Sequence, residues 1–146
     1  MTITEQKAAQ RKAGISARRA LSDTERTHSN AALCARIMAL NCFKKAENIL
    51  LYAAFGGEAD LSTLAVEAAR QGKTLAYPVC GEGFSLTAAV PGPDGWEVGT
   101  YGIRTPILGR SAVLPPDKLD LVLVPCTAFD TACRRVLTWK QNLGLL

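Results

Sequence analysis

Lys7 and Arg11 stand four residues apart near the start of the chain. In a helix that spacing projects both cations from one face, where they can grip a single polyanion. Glu58 follows Gly56-Gly57 at the end of an apolar run, NILLYAAF, and its carboxylate offers two acceptor oxygens to a paired N–H donor edge. Asp130 and Arg135 stand in a polar loop, CTAFDTACRR, that leaves a second apolar run, LDLVLVP. Together these are cations for a phosphate compound and a carboxylate for orienting a donor. Each also has a plainer reading. The Lys7–Arg11 pair suits a solvated helix face, and Glu58 suits the approach to the next helix. Asp130 is read as folding its own loop through local hydrogen bonds, with Phe129 anchored in the core. His28, the chain's single histidine, is read as an ordinary helix residue.

These residues must be positioned by regular elements. A first helix is expected over 5 to 20. Ser22-Asp-Thr-Glu25 has capping-box spacing and starts a second helix reaching about Leu40. NILLYAAF, 48 to 55, is a short continuous apolar run, as a strand buried on both faces would be. Asp60 can cap a third helix through Arg70, closed by Gly72, and TLAYPVC, 74 to 80, is the next strand. This β-α-β unit makes the two strands parallel. FSLTAAV, 84 to 90, alternates like a more exposed strand, residues 91 to 106 read as a loop rich in glycine and proline, and 119 to 125 is the third apolar strand. The expected architecture is an α/β, three-layer, Rossmann-like, mostly parallel sheet with helices on both faces, preceded by two N-terminal helices. Ligands of such sheets sit at the carboxyl ends of strands, where Glu58 and the 126 to 135 loop both fall.

Composition narrows the partners. The 146 residues are 48% hydrophobic, enough for one domain with a core. No run approaches the ~18 apolar residues of a membrane span, and MTITEQKAAQRK lacks the apolar stretch of a secretory signal, so a cytoplasmic protein with no membrane partner is expected. Five cysteines without a C-x-x-C pair, beside one histidine, argue against a disulfide framework and a zinc site. They are expected as reduced, mostly buried thiols, with Cys133 the one within reach. The net charge of +4 is concentrated in Lys7, Arg11, Lys12, Arg18, Arg19 and Arg26, which favours an anionic partner. Few aromatics interleave with these charges, which argues against a nucleic-acid platform.

Taken in order, the motifs resemble those of the 5-formyltetrahydrofolate cyclo-ligase (5,10-methenyltetrahydrofolate synthetase) family. Lys7-Ala-Ala-Gln-Arg11 precedes an Arg19-Ala-Leu-Ser22 turn. Glu58 follows YAAFGG, and Gly72-Lys73-Thr-Leu-Ala-Tyr-Pro78 matches a further signature. Asp120-Leu-Val-Leu-Val-Pro125 runs on through Phe129-Asp130 to Arg135. The resemblance spans about residues 7 to 136. It implies an ATP-driven cyclisation in which the formyl oxygen of 5-formyltetrahydrofolate attacks the γ-phosphate, N10 attacks the activated carbon, and phosphate leaves. It implies ATP and Mg²⁺ as cofactors, with Lys7, Arg11 and Arg135 on ATP and Ala53 and Glu58 on the folate; no catalytic or metal-binding residue is assigned.

Two departures stand beside the match. The family's Gly-Ile-x-Glu-Pro is Gly102-Ile103-Arg104-Thr105-Pro106 here, without the carboxylate. After Arg135 the family's Gly-x-Gly-x-Gly-Tyr-Tyr-Asp loop is replaced by VLTWKQNLGLL, residues 136 to 146. The expectation is therefore an incomplete cyclo-ligase-like domain over 1–136 with an unmatched tail over 137–146, from truncation or a shifted frame. Marginal stability and low ATP turnover are expected with it. Alternatives of another kind are a non-catalytic remnant and a small nucleotide- or folate-binding module.

Overall fold

The computed structural model describes residues 1–136. Two capped helices open the chain. In α1 (Ile3–Ala20) the Thr2 hydroxyl accepts from the Glu5 backbone N–H while the Glu5 carboxylate accepts from the Thr2 backbone N–H, which starts the helix two residues earlier than expected. The same reciprocal pair, Ser22 with Glu25, starts α2 (Asp23–Ala39). After the short α3 (Asn41–Lys45) come β1 (Asn48–Leu50), α4 (Ser62–Arg70) and β2 (Thr74–Cys80). Gly72 follows the end of α4 with φ of +76°, as expected, whereas the N-cap position falls to Leu61, which makes no side-chain cap bond; Asp60, one residue ahead, accepts from the backbone N–H of Ser62 at 2.9 Å.

The central sheet runs β6 (Ser111–Leu114), β3 (Leu86–Pro91), β2, β1, β7 (Leu121–Val122). β2 and β7 flank β1 in parallel, while β3 and β6 extend the sheet antiparallel. β2 fills its expected run, whereas β1 and β7 are shorter than their apolar runs suggest. The β1 ladder ends at Leu50 with one further bond from Leu51 N to the Ala76 carbonyl at 2.9 Å, and residues 52 to 58 turn away from the sheet. β7 is extended by Asp120 N and Leu123 N, each donating to a β1 carbonyl at 2.9 Å. The Asp120 carboxylate also accepts from Asn48 N at 2.8 Å and Glu47 N at 2.9 Å, and those bonds hold its pKa below the ordinary value.

Two segments expected as irregular loops contain hairpins. β4 (Trp96–Val98) pairs with β5 (Arg104–Pro106), and β8 (Ala128–Phe129) pairs with β9 (Arg135–Val136). Each strand is only two or three residues long and bounded by turn residues, too short for a period-2 pattern to stand out.

The main core lies between one sheet face and α2, α3 and α4: Cys34, Phe43, Ile49, Leu51, Leu64 and Ala68 are buried together. Alternation sends Leu50, Ala76 and Ala88 to the opposite face, where Val90, Leu114 and Leu119 join them. No helical residue belongs to that second cluster among the described residues. No described helix is long and apolar enough to cross a membrane.

Candidate functional site

A cleft of about 440 Å³ opens at the carboxyl end of β1. Its floor is residues 51 to 58, its far side the start of α4, and its remaining wall Tyr77 of β2 with Trp96 and Arg104 of the β4–β5 hairpin. The wall is a built stack: the Tyr77 and Trp96 rings meet edge to face at 4.7 Å, and the Arg104 guanidinium lies 4.6 Å from the centre of the Trp96 ring. Such a surface suits a flat, electron-rich ring.

Glu58 is the one buried charged side chain of the described residues, 8% exposed. Gly56 and Gly57, both with positive φ, turn the chain so that Glu58 faces back. Its Oε2 accepts from Phe55 N at 3.1 Å, and no described residue is paired with Oε1. Glu58 therefore does not cap α4; the side chain that accepts from its first turn, at Ser62 N, is Asp60. Beside it the Tyr52 hydroxyl donates to the Ala59 carbonyl at 2.9 Å. Burial first, and then the Glu58 charge, push the Tyr52 phenol up to about 12, with Arg18 acting the other way. Burial also raises Tyr77, opposed by Arg104. The cleft thus has a negative end near Tyr52 and a positive end near Tyr77.

A second cavity of about 410 Å³ lies between α1, α2 and the 126 to 129 segment, lined in part by Arg18, Arg26, Gly57 and Phe129. Lys7, Arg11, Gly14 and Arg18 follow one another at i, i+4, i+7 and i+11, a single stripe of α1. At Gly14 the stripe lies so close to the Thr127 carbonyl that a Cβ would collide with it, and Arg18 Nη2 donates to the Cys126 carbonyl at 2.9 Å. The stripe therefore faces the β8–β9 hairpin.

The 5-formyltetrahydrofolate cyclo-ligase family model matches residues 3–136. The chain belongs to that family. Among solved structures it is similar to the 5,10-methenyltetrahydrofolate synthetase of Aquifex aeolicus, at 30% identity and a TM-score of 0.77 over 89% of this chain and 66% of that one. It spans just under two thirds of that protein's length. A 5,10-methenyltetrahydrofolate synthetase from Mycoplasma pneumoniae shares the fold at 17% identity, with a TM-score of 0.70 over 89% of this chain and 70% of that one. No curated protein sequence matches the chain.

Within this family member, the residues singled out by sequence fall in two groups. Ala53 and Glu58 both line the first cleft. Lys7 and Arg11 stand on the α1 stripe and Arg135 on β9, two elements that pack together, but none of the three lines either cavity among the described residues. Tyr52, Tyr77, Trp96, Arg104, Arg18 and Arg26 were not singled out for a site. The stripe spacing of Arg18 after Lys7 and Arg11 was a signal for one of them; the rest depend on which loops meet. Among the described residues no cluster of three or more His, Cys, Asp and Glu side chains could hold a metal ion.

Two expectations are corrected, for Phe129 and for the cysteines, and the one for Asp130 is met. Phe129 is 78% exposed, because the β8–β9 hairpin carries it away from the core. Asp130 does fold its own loop, accepting from the N–H groups of Ala132 and Arg134 at 3.0 Å and from Arg134 Nε at 2.7 Å. Cys42 and Cys80 are exposed as well as Cys133, since they stand at an outer helix position and a strand end; only Cys34 is fully buried. The tail over 137–146 lies outside the described residues.

Proposed function

We propose that the chain binds 5-formyltetrahydrofolate in the cleft at the end of β1 and supports its ATP-dependent cyclisation to 5,10-methenyltetrahydrofolate, releasing ADP and phosphate. The observation that carries this is Glu58: a buried carboxylate with an open oxygen, facing a cleft walled by Tyr77, Trp96 and Arg104. A carboxylate held this way suits the N–H donors of a pterin, and the aromatic wall suits its ring. Ala53 contributes shape alone.

ATP is a co-substrate here, and the α1 stripe fits its charge. Lys7 and Arg11 one turn apart, with Arg135 on the adjoining hairpin, give three cations for the phosphates. Phosphoryl transfer asks mainly for such positioning and charge neutralisation. Mg²⁺ fits as part of MgATP, a cation that keeps phosphate and water oxygens as ligands and needs no protein cage. In the reaction the γ-phosphorus leaves ADP and bonds to the formyl oxygen. N10 then bonds to the formyl carbon and gives up its proton as the carbon–oxygen bond breaks and phosphate departs.

The test is MgATP-dependent formation of the methenyl product, followed by its absorbance, with 5-formyltetrahydrofolate binding measured separately. Binding with turnover supports the proposal. Binding without turnover supports a folate-binding module, and absence of both sinks the proposal.

A further inference from the structure

We propose that Arg18 and Arg26, held against the Gly56-Gly57 turn, form a phosphate-binding site at the junction of the two cavities. Gly57 is the residue that lines both cavities, so the turn is their common wall. A Cβ on Gly57 would stand 2.8 Å from Arg26 Nη1 and 3.3 Å from Arg18 Cδ, which places both side chains against the turn.

The two guanidiniums are only partly engaged. Arg18 Nη2 donates to the Cys126 carbonyl at 2.9 Å, and Arg26 Nη2 donates to the Leu21 carbonyl at 3.1 Å. Each fork has five N–H donors, so each retains capacity for an anion. None of the ion pairs among the described residues involves either arginine; those pairs join Arg70 to Glu67, Lys118 to Asp117 and Arg134 to Asp130. Two half-buried like charges against one turn repel each other unless an anion lies between them. The acidic residues lining the first cleft are Glu58, whose Oε2 accepts from Phe55 N, and Asp60, which accepts from Ser62 N. A tetrahedral phosphate matches the fork geometry of two arginines.

This site rests on the cyclo-ligase reading for its role, and it extends that reading to two residues outside the Lys7, Arg11 and Arg135 set. Arg18 continues the α1 stripe about 10 Å along the axis beyond Arg11. A polyphosphate gripped at Lys7 and Arg11 presents its terminal phosphoryl group toward the junction, beside the folate cleft. Arg18 and Arg26 neutralise that group while its bond to the ADP oxygen breaks and its bond to the formyl oxygen forms.

The experiment is calorimetric titration of the full chain with inorganic phosphate, alone and in the presence of MgADP or MgATP. Parallel titrations use 5-formyltetrahydrofolate. Wild type is compared with Arg18→Gln, Arg26→Gln and Arg26→Lys. Expected are a loss of phosphate affinity of about tenfold or more in each Gln variant, partial recovery in Arg26→Lys, and folate affinity unchanged within about twofold. Phosphate should bind beside MgADP and be displaced by MgATP. Phosphate affinity that is absent in wild type, or equal in wild type and both Gln variants, overturns the site. Phosphate that stays bound beside MgATP overturns its assignment to the terminal phosphoryl group. A Gln variant that unfolds leaves Arg26→Lys to decide, because it keeps the charge and loses the fork. If wild type binds neither folate nor MgATP, the cyclo-ligase reading fails while the phosphate titration still decides the site.

Discussion

Replacing Glu58 by Gln separates recognition from folding at the centre of the first cleft. Glu58 is 8% exposed, and its Oε2 accepts from Phe55 N at 3.1 Å. The amide oxygen of Gln can accept the same bond, so the turn keeps its staple and loses only a buried charge. Losing a buried charge does not by itself destabilise, because the desolvation penalty goes with it. What is lost is the difference between a charged and a neutral hydrogen bond from Oε1 to the ligand. A charged bond contributes about 1.5–3 kcal/mol and a neutral one about 0.5–1.5. The difference of about 1–2 kcal/mol weakens 5-formyltetrahydrofolate binding about five- to thirtyfold. The assay is quenching of Trp96 fluorescence in a Trp139→Phe background, which leaves Trp96 as the single remaining tryptophan of the two, together with a thermal melt. Glu58→Gln should lose affinity and keep its melting temperature. Unchanged affinity refutes the recognition role, and a melting temperature lower by many degrees shows that the charge serves the turn instead.

Other outcomes follow from single contacts. Gly14→Ala in α1 ought to stabilise by about 1 kcal/mol if helix propensity decided, but its Cβ meets the Thr127 carbonyl, so urea denaturation should show a loss of about 1–3 kcal/mol instead. Leu64→Ala, at a position 0% exposed in the main core, should cost about 2–5 kcal/mol in the same measurement. Tyr52 gives a pH dependence: its folded pKa is about 12 against an ordinary 10.0, so both states keep the phenol neutral below pH 10 and stability is whole there. Above pH 10 the unfolded chain loses the proton first, and stability falls until about pH 12. Tyr52→Phe should flatten that alkaline limb of a stability–pH curve.

The helices α2 and α4 and the parallel core were legible because local chemistry decides them, whereas the Thr2–Glu5 cap of α1 and the five-residue α3 were not foreseen. Ser22 and Glu25, Asp60, Gly72 and the run TLAYPVC each act within a few residues of where they stand, and no distant partner is needed to interpret them. Glu58 was legible as a cleft residue because the carboxyl end of a strand is where an α/β sheet opens its cleft, whereas Ala53 was named only through the family resemblance; both line that cleft. Trp96 and Arg104 were not. They reach the cleft through a three-residue hairpin whose packing on Tyr77 depends on a contact across about 20 positions of chain, and no short window carries that information. Phe129 misled for the related reason that two-residue strands leave no periodicity to tell inward from outward.

The strand that fell shortest of expectation also does the most for the site. NILLYAAF has the composition of a strand through Phe55, yet its ladder stops after Leu51. Continuing it would fill the space that Tyr52 to Glu58 now enclose, and would leave the Glu58 carboxylate without the Phe55 N–H it uses. The gain in ladder bonds is given up for a turn whose two positive-φ glycines hold Glu58 toward one cavity, and whose Gly57 lies under Arg18 and Arg26 in the other. A side chain at Gly57 would meet the strain of φ +81° and the arginines together. Gly57→Ala should therefore disturb anion and folate binding at once, whereas Glu58→Gln disturbs folate alone. If calorimetry finds phosphate affinity intact in Gly57→Ala, the two cavities do not share this wall as a working element.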